Sequence, residues 1–97
     1  MLTIEEIKRA VTKIGKKYGI KNAYLFGSYA KGKATESSDV DIIIDRGNIG
    51  DLIELSGFRL DLIDELNGVG VDVLTTGGVR PRFFDLIKND RVLLYGA

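Results

Sequence analysis

Leu25-Phe26-Gly27-Ser28-Tyr29-Ala30-Lys31-Gly32, then a polar connection, then Ser38-Asp39-Val40-Asp41-Ile42-Ile43-Ile44: this stretch decides the fold. A short apolar run stops at a glycine-serine pair. Ten residues beyond that pair, a second apolar run opens with two aspartates one residue apart. Side chains alternate across a strand, so Val40, Ile42 and Ile44 share the core side while Asp39 and Asp41 point together to the other. Two carboxylates about 5 Å apart repel by about 3 kcal/mol at an effective dielectric of ~20. A divalent cation held by hard oxygens offsets that repulsion directly. Gly27 permits positive φ and close backbone approach to an anion. The amides that follow it, with the Ser28 hydroxyl, would cradle phosphate oxygens near a helix start. Lys31 and Lys33 add positive charge to the same region.

A third carboxylate completes the pattern. Asp72 interrupts Val71-Asp72-Val73-Leu74, an apolar strand in which an acid has no evident structural purpose. If this strand neighbours the second, Asp72 joins Asp39 and Asp41. Two magnesium ions in such a site lower the pKa of an attacking hydroxyl and stabilise the leaving oxygen in an in-line displacement at phosphorus. Asp72 would lie nearest the incoming hydroxyl as its proton acceptor. Taken singly, each signal has a plainer explanation. Glycine and serine are common turn residues, polar outer strand faces are frequent, and Asp72 could be an edge-strand acid facing solvent. Their joint order is far more specific. Asp45 shares the strand face, but Arg46-Gly47 suggests a turn, which makes it structural.

Working outward, Thr3-Ile4-Glu5-Glu6 reads as a capping box. Ile4, Ile7, Val11, Ile14 and Tyr18 recur at helical spacing up to Gly19. Ala23 to Phe26 is the first strand, a helical turn runs through Ala30, and Gly32 to Ser38 is loop. Val40 to Ile44 is the second strand. Asp51 to Asn67 reads as a long helix with Leu52, Leu55, Phe58, Leu62, Ile63 and Leu66 as its core face, leaving Ile53 and Leu60 as a small exposed patch. Val71 to Leu74 is a third strand, Pro81 to Asn89 a short helix with proline near its start, and Val92 to Tyr95 a last strand. Strands interleaved with helices predict a layered α/β or α+β domain.

Composition narrows the chemistry. The chain of 97 residues predicts one domain, residues 1–97, with one core. Cysteine and histidine are both absent, which removes thiolate chemistry, the commonest general base and the usual zinc ligands. Metal must therefore be held by oxygen, favouring Mg²⁺ or Mn²⁺. No apolar run approaches the ~20 residues of a membrane span, and a cytoplasmic location is the expectation. Net charge is zero, yet Lys8, Arg9, Lys13, Lys16, Lys17, Lys21, Lys31 and Lys33 are uninterrupted by any acid, whereas carboxylates dominate from Glu36 to Asp72. The basic run is a solvated helix face or a docking surface for an acidic partner or nucleic acid. Tyr18 and Tyr24, the aromatics near those lysines before Tyr29, fall at core positions, so single-strand stacking and direct nucleic-acid binding are not favoured.

On the blocks Leu25-Phe26-Gly27-Ser28, Ser38-Asp39-Val40-Asp41-Ile42 and Val71-Asp72-Val73-Leu74, the whole chain resembles a minimal nucleotidyltransferase. These form the small stand-alone branch of the DNA polymerase β-like nucleotidyltransferase superfamily. The resemblance implies an α+β fold with a small mixed sheet of four strands and helices packed on it. It places the metal-binding aspartates at Asp39, Asp41 and Asp72 and the nucleotide-binding turn at Gly27 and Ser28, with two Mg²⁺ ions and ATP as substrate. Members of this branch are similar to the antitoxin of HEPN/MNT toxin–antitoxin pairs. The resemblance thus implies AMP transfer from ATP to a tyrosine hydroxyl of a HEPN RNase toxin, or neutralisation by direct binding. Transfer to a small molecule or RNA end is a further alternative. Larger relatives carry extra domains that grip template or acceptor, and a protein acceptor with its own binding surface would take their place here.

Overall fold

The computed structural model describes residues 1–96. Helix α1, Ile4–Tyr18, starts where Thr3 Oγ1 accepts from the Glu6 amide at 3.1 Å and Glu6 Oε1 accepts from the Thr3 amide at 3.0 Å. It ends at Gly19, whose φ of 70° lets its amide donate back to Gly15 O at 2.9 Å. Strand β1 (Asn22–Phe26), the one-turn helix α2 (Gly27–Ala30), β2 (Val40–Asp45), helix α3 (Leu52–Glu65) and β3 (Val71–Thr75) follow. A 3₁₀ turn over Thr76–Gly78, α4 (Pro81–Ile87) and β4 (Val92–Tyr95) complete the order.

The sheet runs β3-β2-β1-β4. β1 is antiparallel to both β2 and β4, while β2 and β3 are parallel. Two parallel strands need a crossover, and α3 supplies it. Val40, Ile42 and Ile44 of β2 and Ala23 and Leu25 of β1 are wholly buried on the side where Ile7, Val11, Phe58 and Leu62 of α1 and α3 pack. This α+β layering is the expected architecture. On the reverse side, Phe83 of α4 stacks edge-on against Phe26, with ring centroids 5.2 Å apart.

Several expectations are corrected. Leu52, expected on the core face of α3, is 76% exposed. At 100° per residue it lies roughly 120° around the helix from Phe58, in the open first turn. α3 stops two residues before Asn67, because Asn67 takes φ 57° and the Gly68 and Asn67 amides donate to Ile63 O and Asp64 O at 2.8 and 3.1 Å. That left-handed closure satisfies the last carbonyls. α4 likewise ends at Ile87, whose carbonyl accepts from Asp90 and Arg91, rather than at Asn89. The basic run of α1 is partly spoken for: Lys13 pairs with Glu65 at 3.0 Å and Lys17 with Asp61 at 2.9 Å, both on α3.

Candidate active site

The sheet register brings the carboxylates together. Asp41 lies opposite Phe26 on β1 and in register with Asp72 on β3, so the three side chains form a row on the face away from the core. Asp41 is half-buried, whereas Asp39 and Asp72 are exposed. Burial pushes the Asp41 carboxyl above the ordinary carboxylate range. The charge of Asp72, a hydrogen bond to Asp72 and the charge of Asp39 push it the same way. A half-buried acid facing two further acids is a site that lacks positive charge.

Two glycines fit around this row. Gly27 has φ 72°, and a Cβ there would run into the Asp41 carboxylate. Gly70 leaves room in the same way for Asp39: a Cβ on it would strike Asp39 Oδ1. The Gly70 carbonyl also accepts from the Val40 amide at 2.9 Å, which ties the starts of β2 and β3 together. Sequence reasoning missed Gly70; its place immediately before Val71-Asp72 was the available signal. The loop entering β2 is set by Thr35 and Ser38, which exchange hydrogen bonds of 2.9 and 3.0 Å.

Ser28 follows Gly27 directly and is half-buried, and the buried Tyr29 anchors the short helix. The first amides of a helix have no acceptor within it and are free for a ligand's oxygens. Gly27, closed against the Asp41 carboxylate, sets this helix start beside the acidic row. Lys31 caps the other end of α2, and it and Lys33 are exposed, with no ion pair to any acid among the described residues. Asp45 ends β2 and accepts from the Gly47 amide at 3.3 Å, a turn-closing role. Tyr24, expected at a core position, instead lies two residues from Phe26 on the carboxylate side of the sheet, where the Arg91 guanidinium covers its ring at 4.7 Å.

A divalent cation suits this donor set, which is carboxylate oxygen throughout and bears an unneutralised charge. Among the described residues no three acids close on a common point as a ready-made metal cage. Asp39, Asp41 and Asp72 are the residues that would hold the ion. The site is an open face of the sheet. A groove of about 380 Å³ between α1 and the end of α3 is lined by Leu2, Arg9, Lys13 and Leu66 among others and is remote from Asp72 on the reverse face. Among the described residues no helix is long and apolar enough to cross a membrane.

Residues 4–94 match the Nucleotidyltransferase domain family. A candidate protein adenylyltransferase of Methanocaldococcus jannaschii is 40% identical over 91 residues, covering 94% of this chain and 97% of that protein. Among solved structures, a candidate minimal nucleotidyltransferase superposes with a TM-score of 0.79 at 26% identity, over 94% of this chain and 95% of the other. The complex of a tri-AMPylated Shewanella oneidensis HEPN toxin with an MNT antitoxin matches at a TM-score of 0.73 and 18% identity, over 98% of this chain and 74% of that one, a likeness of fold.

Proposed function

This chain belongs to the nucleotidyltransferase-domain family, and from that premise we propose that it is the antitoxin of a HEPN/MNT pair, moving AMP from ATP to a tyrosine hydroxyl of its HEPN toxin with Mg²⁺ as cofactor. The observation that carries this reading is the in-register pair Asp41 and Asp72, with Asp39 beside them and Gly27 closed against Asp41. The relative of M. jannaschii, named for protein adenylylation, and the tri-AMPylated toxin bound to an MNT antitoxin support the acceptor class.

The chain's residues divide the work. Gly27 and Ser28 receive the β- and γ-phosphates through their amides and the serine hydroxyl. Asp39 and Asp41, with Asp72, would hold the metal. The chemistry that bound magnesium supplies is neutralisation of charge on the phosphates and on the departing pyrophosphate. Asp72 stands on the edge strand, exposed to an acceptor arriving from solvent. Its carboxylate takes the proton as the tyrosine oxygen bonds to the α-phosphorus and the bond to the bridging oxygen breaks. Lys31 contributes charge to the triphosphate from the end of α2. The 97 residues act as one minimal transferase domain, working in the cytoplasm where ATP is available.

A second reading, neutralisation by binding alone, is favoured by the exposed apolar side chains of α3. Asp39→Asn/Asp41→Asn separates the two: transfer predicts lost neutralisation with the complex intact, and occlusion predicts neutralisation retained. The direct test incubates the protein with ATP, Mg²⁺ and the product of the neighbouring gene. A gain of one or more AMP masses on that product supports transfer. An unmodified helical partner bearing an Arg-x4-6-His motif would sink it.

A further inference from the structure

Leu52, Ile53 and Leu60 are 76%, 84% and 58% exposed, and all three lie on α3. At 100° per residue Ile53 and Leu60 fall within about 20° of one another, opposite the buried Phe58 and Leu62, with Leu52 flanking them toward β3. An apolar stripe on a surface helix is where protein partners bind. The carboxylates on one flank of it, Glu54 and Asp64, have no ion pair among the described residues, unlike Asp61 and Glu65, which pair with lysines of α1. On the other flank Arg59 Nε donates to Val71 O at 2.8 Å, on the edge strand and one residue from Asp72. The Arg59 flank of α3 therefore meets the edge strand β3 from the core side, and Asp72 lies on the other face of that strand.

We propose that this face of α3 docks a protein partner through a helix whose apolar stripe is edged by lysine or arginine, and that the partner's adjoining segment crosses the β3 edge to Asp72. Charge selects this occupant. A second copy of the chain would set Glu54 and Asp64 against their own kind, whereas a basic helix complements them. Identification of the partner as the AMP acceptor rests on the transfer activity proposed above; the docking itself does not.

The test titrates the full chain against two labelled synthetic peptides that share a leucine stripe at helical spacing, one with lysine at all other positions and one with glutamate, read by fluorescence anisotropy. The lysine peptide binds, salt weakens it, and Ile53→Ser/Leu60→Ser lowers its affinity by about tenfold or more. Glu54→Gln/Asp64→Asn flattens the salt dependence, and the glutamate peptide does not bind. Equal binding of both peptides, or undiminished binding to Ile53→Ser/Leu60→Ser, overturns the proposal. So does sedimentation showing that the chain dimerises through the stripe. The same serine variant titrated with MgATP keeps the wild-type affinity, so that a failed docking surface and a failed transferase site are told apart.

Discussion

Asp41→Asn removes one charge from a row of three, and the structure predicts that this stabilises the metal-free protein. Adjacent strands lie about 4.8 Å apart, so the in-register Asp41 and Asp72 carboxylates are at most about 5 Å apart. Coulomb's law gives about 0.8 kcal/mol at the dielectric of water and about 3 kcal/mol at an effective value of 20. Asp72 is exposed, so screening favours the low end, about 1 kcal/mol. For a domain of this size that is a rise of about 4–8 °C in Tm, read by calorimetry in EDTA. pH gives a second arm. The folded pKa of Asp41 is raised above its unfolded value, so protonation favours the folded wild type. That stability is complete below the ordinary carboxylate pKa and lost as pH rises through the raised one. The advantage of Asp41→Asn should therefore shrink as pH falls through that window. Mg²⁺ with ATP should reverse the ranking by stabilising only the wild type. A variant less stable than wild type in EDTA would refute the reasoning, because the carboxylate would then be a favourable structural partner.

The glycine beside that carboxylate gives a matched comparison. Gly27→Ala adds a collision with Asp41 to backbone strain at φ 72° and should abolish nucleotide binding, whereas Gly32→Ala, at φ 70° in open space, should cost about 1–2 kcal/mol and leave binding unchanged, as calorimetry of both would show. Tyr18 Oη donates to Asp61 at 2.7 Å, and this bond above all raises its pKa. Asp61→Asn should therefore move the alkaline tyrosinate transition to lower pH, read by near-ultraviolet absorbance. Phe58→Ala empties a wholly buried position under α3 and should lower stability by about 3–5 kcal/mol in urea unfolding, a large share of what a small domain has.

The carboxylate strand was legible because alternation separates Val40, Ile42 and Ile44 from Asp39 and Asp41 by local geometry alone. α1 was legible for a similar reason: Thr3, Glu6 and Gly19 mark its ends by hydrogen bonds that span a few residues. α3 was less so. Its apolar residues surround most of the helix, so Leu52 could be drawn into either face, and only the packing of Phe58 and Leu62 decides. The pairing of Lys13 and Lys17 with Glu65 and Asp61 joins helices more than forty positions apart in the chain, which no local pattern reveals. The register of β3 against β2 is also a tertiary fact. From sequence, Asp72 was an acid in search of neighbours, and the parallel pairing through the α3 crossover supplies them. The cover that Phe83 lays on Phe26 had no signal beyond an aromatic pair on a short helix.

The central claim is that Asp39, Asp41 and the Gly27-Ser28 turn bind nucleotide and metal as a unit. Titration calorimetry with ATP tests it most directly. ATP should bind the wild type only when Mg²⁺ is present, and neither Asp39→Asn/Asp41→Asn nor Gly27→Ala should bind under either condition. ATP bound equally well by wild type and variants without Mg²⁺, or by none with it, would contradict the account.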